Sequence, residues 1–145
     1  EITKKQIYLE NFEIIVSSKV KNSKCIYGIK NFLEKNYKIY NFFISSATPT
    51  DELLEIIKYK KFSKYFIEIM GSPMSKIDHI KYIKKKYNYK KNEVLFIGDT
   101  NNDYLSAYNS RIKFIGVKNK YEDFRNYKYV IKNFYNFKNK LKKII

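Results

Sequence analysis

From Cys25 onward the chain alternates between two hydrophobic periods. "CIYGIKNFLEKNY" (25–37) puts Ile26, Ile29 and Leu33 on one helical face, and "YNFFIS" (40–45) is a short unbroken apolar run, the mark of a strand buried on both sides. "TPTDELLEIIKYKKF" predicts a helix with Thr48 as N-cap, Pro49 at the first helical position and Asp51 in the first turn, near the positive end of the dipole. "YFIEIMGSP" (65–73) reads as a second strand ending in a turn, and the next segment spaces Ile77, Ile80, Ile83 and Tyr87 by three and four residues, as a helix does. "EVLFIG" is a third strand, "NDYLSAYNS" a helix, "KFIGV" (113–117) a fourth strand, "KYVI" (128–131) a short fifth, and "NFYNFKNKLKKII" a terminal helix. The first 22 residues differ, since "ITKKQIYLENFEIIVSSKVKN" reads as helix with no strand before it. Strands that alternate with helices and are apolar on both sides predict an α/β domain: a parallel sheet with helices on both faces.

Composition narrows the classes. The 145 residues, 44% hydrophobic, suffice for one domain that buries roughly two-thirds of its unfolded surface. Lys and Arg total 30 against 14 Asp and Glu, a formal charge of +16, which by itself favours polyanionic partners. The lysines are spread evenly through a chain rich in Ile, Asn and Tyr, as an AT-rich genome would produce, so the charge reads first as composition and predicts no specific nucleic-acid partner. The 15 tyrosines form no base-stacking motif. The single cysteine, Cys25, cannot make an internal disulfide and is expected in the core, which suits a reducing cytoplasm. No stretch reaches the ~20 apolar residues of a membrane span, and "EITKKQ" lacks the apolar region of a signal peptide, so no membrane association is expected. The first residue is not Met, so the expectation is of a piece of a longer gene product. The sequence leaves oligomeric state unknown.

In an open parallel sheet, ligands bind beyond the carboxyl ends of the strands. Ser45 and Ser46 follow the first strand and offer hydroxyls and backbone N–H groups to an anion near a helix start. Lys76, in "GSPMSK", opens the helix after the second strand and supplies a fixed positive charge. Asp99 and Asp103 follow the third, with Thr100, Asn101 and Asn102 between them. Two carboxylates so placed suit Mg²⁺, which takes oxygen ligands, keeps several waters and bridges to phosphate. Each piece also has an ordinary structural explanation: a turn at Ser45-Ser46, one surface lysine among many, and helix capping by either acid. His79, the only histidine, is expected as a surface or packing residue, and the basic C-terminal stretch as a helix docked on the sheet.

These residues together resemble the haloacid dehalogenase-like (HAD) hydrolases, mostly Mg²⁺-dependent phosphatases with a doubly wound fold. Ser45 in "FFISSATP" matches the family's second motif, Lys76 in "GSPMSKIDHI" the third, and Gly98-Asp99-Thr100-Asn101-Asn102-Asp103 the fourth, G-D-x-x-x-D. The resemblance covers residues 25 to about 140. It implies phosphate contact by Ser45 and Ser46, charge neutralisation by Lys76, and a Mg²⁺ site in which Asp99 binds directly while Asp103 acts through water or orients Asp99. The first motif, D-x-D on the opening strand, which supplies the nucleophile, is absent: no Asp precedes Asp51, and Glu1, Glu10 and Glu13 lie in the predicted first helix. The resemblance therefore predicts residues 1–22 as the remnant of a helical cap and 23–145 as the core, with the N-terminal strand missing. The activity implied is hydrolysis of a small phosphorylated metabolite, in a fragment or a degenerate copy without its nucleophile. A non-catalytic binding protein of the same fold and a basic nucleic-acid-binding module are the alternatives.

Overall fold

The computed structural model describes residues 19–144. Most of the expected cap helix lies outside them; residues 19–22 are helical. Helix α1 spans Ile29–Asn36. It starts four residues later than the apolar spacing predicts, because Gly28 adopts φ 84° and packs its backbone against Phe134. Cys25 falls before the helix and is exposed, contrary to its expected place in the core. Strand β1 (Phe42–Pro49) is followed by α2 (Thr50–Tyr59), β2 (Phe66–Ser72) and α3 (Lys76–Lys86). Then come β3 (Leu95–Gly98), α4 (Asn101–Asn109), β4 (Lys113–Val117), the two-residue β5 (Val130–Ile131) and the short α5 (Phe137–Leu141).

All strand pairs are parallel: β1 with β2, β3 with β4, and β4 with β5. Side chains alternate between two helix-covered faces, as the period-2 strand geometry requires. Leu95 and Ile97 of β3 join Ile115 and Val117 of β4 in a cluster with Phe32 of α1 and with Phe137 and Leu141 of α5. Val94, Phe96 and Phe114 point the other way, against Ile80 of α3 and Ala107 of α4. A third cluster packs Leu33 of α1 and Leu53 and Ile57 of α2 beneath Phe42 and Ile44 of β1. Phe42 also touches the first cluster and so joins the two halves of that face. Burying each such side chain contributes about 1.5–3 kcal/mol. The terminal helix docks as expected but is shorter, because Asn136 enters it in the left-handed conformation, φ 52°.

Among the described residues the strands form two sheets, one of two strands and one of three. The outer edges of β1 and β3 are not paired with each other. Phe42, Phe43 and Ser45 from one edge and Leu95, Phe96 and Ile97 from the other line a single cavity of about 480 Å³. No helix among the described residues is long and apolar enough to cross a membrane.

Candidate active site

Strand β1 runs further than its apolar run predicts, through Thr48 to Pro49, because Pro49 pairs with Ser72 of β2. Thr48 is therefore not the N-cap of α2. That position falls to Pro49, whose φ of −52° and ψ of 140° keep it extended, and no side chain caps the helix. The adjacent Thr50 hydroxyl instead accepts the Gly71 N–H at 3.2 Å and donates to the Ser72 carbonyl at 3.2 Å, tying the start of α2 to the end of β2. Gly71 has no room for a side chain, since an added Cβ would lie 2.2 Å from the Thr48 carbonyl oxygen. Ser45 and Ser46 thus lie within β1 rather than after it. The Ser46 Oγ accepts the Thr48 N–H at 3.1 Å and keeps its own proton to donate.

Helix α3 begins where its sequence says. The Ser75 hydroxyl accepts the Asp78 N–H at 3.1 Å and donates to the Asp78 carboxylate at 2.7 Å. This hydroxyl holds the Asp78 carboxyl below its ordinary range, with Lys81 adding to the effect. The cap sets Lys76 at the first helical position, and its ammonium reaches Asp103 Oδ1 at 2.5 Å, with the two side chains only 14% and 5% exposed.

Asp103 is the most heavily engaged polar residue of the site. Its Oδ2 accepts the Asp99 N–H at 3.1 Å, the Thr100 N–H at 3.1 Å and the Thr100 hydroxyl at 2.9 Å. The Thr100 Oγ1 accepts the Asp103 N–H at 3.2 Å in return, a reciprocal capping box. Thr100, and neither acid, is thus the N-cap of α4. The carboxylate fits under the strand end because residue 98 is glycine: a Cβ there would lie 2.4 Å from Asp103 Cβ. Asp99, by contrast, is exposed, and its carboxylate makes no hydrogen bond among the described residues. Its carbonyl is held by the Asn119 amide at 2.6 Å, and Asn119 in turn accepts the Tyr121 and Glu122 N–H groups. The loop after β4 therefore braces the backbone from which the Asp99 carboxylate projects.

Lys76, Asp99 and Asp103 are in one cluster. Ser45 is not bonded to that cluster among the described residues; its Oγ lies 2.8 Å from Nδ1 of His79, one turn after Lys76 on α3. His79 is not at the surface; it is fully buried. Thr100 as the cap and Asn119 as the brace are not singled out by sequence patterning, which reads His79 only as a surface or packing residue. Among the described residues no group of three or more His, Cys, Asp and Glu side chains stands ready to enclose a metal.

Parallel strands with helices on both faces, and a lysine, a buried acid and an exposed acid near their carboxyl ends, define a doubly wound α/β domain, a fold in which ligands bind beyond the strand ends. The chain belongs to the haloacid dehalogenase-like hydrolases, whose family model matches residues 1–117. Among solved structures, a predicted phosphoglycolate phosphatase from Haemophilus somnus superposes with a TM-score of 0.83 at 18% identity, over 97% of this chain and 69% of its own. A haloacid dehalogenase-like family hydrolase from Streptococcus pneumoniae gives 0.79 at 19% identity, over 96% and 71%. A predicted phosphatase from Clostridium acetobutylicum gives 0.70 at 25% identity, over 81% and 59%. No curated protein matches the chain.

Proposed function

We propose that this chain carries the phosphate- and metal-binding part of a Mg²⁺-dependent, cytoplasmic phosphomonoesterase acting on a small phosphorylated metabolite. The observation that supports this best is the Lys76–Asp103 ion pair held next to the exposed Asp99 at the carboxyl end of β3. Asp99 offers a hard oxygen donor of the kind Mg²⁺ takes. Both oxygens of Asp103 are already engaged, so the residues present fit a weakly held ion with Asp99 as its direct ligand and Asp103 fixing the backbone behind it. When bound, Mg²⁺ supplies charge neutralisation at the phosphate oxygens. Lys76 adds a fixed positive charge and shares Asp103 as its counter-ion, while Ser45 and Ser46 contact the phosphate from β1.

In the family the nucleophile comes from a D-x-D strand, and no Asp precedes Asp51 here. The edges of β1 and β3 that are unpaired among the described residues, facing one apolar cavity, suit such a strand lying between them. The 145-residue chain is therefore expected to give no turnover of a generic phosphomonoester with Mg²⁺, and a version extended by a D-x-D strand is expected to give it. Titration with Mg²⁺ or Mn²⁺, followed by NMR shifts, is expected to show weak binding that Asp99→Asn abolishes without loss of fold. Robust turnover by the unextended chain, or metal binding indifferent to Asp99, would overturn the proposal. Tight, sequence-selective nucleic-acid binding at physiological salt would favour the basic-module alternative instead.

A further inference from the structure

His79 links β1, β2 and α3 through its two ring nitrogens. Nε2 lies 3.1 Å from the Gly71 carbonyl oxygen, and Nδ1 lies 2.8 Å from the Ser45 Oγ. A carbonyl can only accept, so Nε2 carries the ring proton. Burial disfavours the imidazolium and holds His79 below its ordinary value, which leaves Nδ1 bare. The hydrogen between Nδ1 and Ser45 is then the hydroxyl's only proton. Lone pairs are all that Ser45 Oγ has left to offer a ligand. On α3 the ring faces two charges of opposite sign, Asp78 and Lys76; from β1 and β2 it meets the neutral Ser45 hydroxyl and Gly71 carbonyl.

We propose that His79 is a positioning residue that turns Ser45 into a hydrogen-bond acceptor toward the ligand, so that the site selects a phosphate group still carrying one proton over a fully deprotonated oxyanion. This rests on reading Ser45 as a phosphate contact. A monoprotonated phosphate donates its P–OH to Ser45 Oγ, whereas an acceptor-only dianion sets an oxygen against the same lone pair. The selectivity comes from the direction of one hydrogen bond, which the Gly71 carbonyl fixes from the far side of the ring.

Two measurements on the 145-residue chain test this. Two-bond ¹H–¹⁵N NMR of the ring is expected to show a protonated Nε2 and a bare Nδ1 whose shift moves in Ser45→Ala. Calorimetry at about pH 6.5, where His79, held below its ordinary value, stays largely neutral and inorganic phosphate carries at least one proton while sulfate carries none, is expected to show inorganic phosphate binding roughly tenfold more tightly than sulfate, the effect of one hydrogen bond to a charged group. Ser45→Ala is expected to reduce that preference to within about twofold, a scale set by loss of the same bond. His79→Leu frees the hydroxyl to donate and is expected to move the preference toward sulfate; if it does not fold, the wild-type tautomer and Ser45→Ala still decide. A proton on Nδ1, failure of both anions to bind, or binding that depends on Ser45 but favours sulfate overturns the inference. Phosphate binding indifferent to Ser45→Ala overturns the phosphate-contact reading beneath it.

Discussion

Asp99 and Asp103 are the same residue type four positions apart, yet their environments predict very different consequences of the same substitution to Asn. Asp103 accepts from Lys76 with one oxygen and from two backbone N–H groups and a hydroxyl with the other. An amide has one oxygen and one NH₂. With the oxygen on the capping side, the NH₂ faces the Lys76 ammonium; with the oxygen on Lys76, the NH₂ faces two N–H donors. Either orientation opposes donor to donor and loses a charge-assisted hydrogen bond, about 1.5–3 kcal/mol. It also leaves an ammonium, whose side chain is only 14% exposed, without its counter-ion. Removing one partner of a buried pair typically costs about 3–5 kcal/mol. A loss of about 3 kcal/mol is therefore expected for Asp103→Asn, which lowers Tm by roughly 10 °C in a domain of this size. Asp99 is exposed and its carboxylate unbonded among the described residues, so Asp99→Asn is expected to stay within about 0.5 kcal/mol of wild type. Melts of the three proteins followed by circular dichroism at low protein concentration make the comparison. A Tm for Asp103→Asn within about 2 °C of wild type, smaller than the shift 1 kcal/mol produces, would refute the reasoning, and so would equal losses at the two positions.

Gly98→Ala is expected to destabilise by about 1–3 kcal/mol, because the added methyl group displaces the Asp103 side chain from beneath the strand end; denaturant unfolding checks this, with an unchanged midpoint as the contrary result. Burial depresses His79 from its ordinary 6.5, so the unfolded chain takes up that proton first. Stability is then full above about pH 6.5 and falls as pH drops through 6.5 toward the lower folded value, with a slope of at most about 1.4 kcal/mol per pH unit for the single histidine. A melting temperature that does not fall between pH 7.5 and 5.5 would contradict this. The two strand edges at the apolar cavity, unpaired among the described residues, predict concentration-dependent self-association, read by analytical ultracentrifugation, and a clean monomer with a reversible cooperative melt would count against it.

Much of the fold was legible because the strands are short, apolar on both sides and punctuated by polar helices. Lys113–Val117 falls where the sequence puts it, and β2, β3 and α3 lie within a few residues of their expected limits. The misplaced boundaries of β1 and α1 share one cause, contacts made far along the chain. β1 reaches Pro49 because Ser72 pairs with it, and α1 starts at Ile29 because Gly28 must turn where the Phe134 backbone passes, with the Phe134 N–H bonded to the Tyr27 carbonyl. Neither partner is visible from a local window of residues. The same applies to Cys25, whose apolar neighbours suggested burial although the helix that would have buried it begins four residues later.

The cluster of Lys76 and the two acids was legible because each residue sits at or next to the first turn of a helix that follows a strand, so topology alone brings them to one edge. How the acids divide their work was not. In the sequence, Asp99 and Asp103 both read as possible caps; only the backbone geometry shows that Thr100 takes the cap, Asp103 closes the box and Asp99 projects outward. The least legible link is between Ser45 and His79. A serine late in a strand and a histidine on the apolar face of a helix are each ordinary, and 34 residues separate them. They meet because the parallel register sets Ser45 opposite Met70, so that the Gly71 carbonyl lies one residue beyond and can hold the far side of the ring. The direction in which the Ser45 proton points is therefore decided by a strand pairing, and a reading confined to sequence motifs would assign it the opposite hydrogen-bonding role.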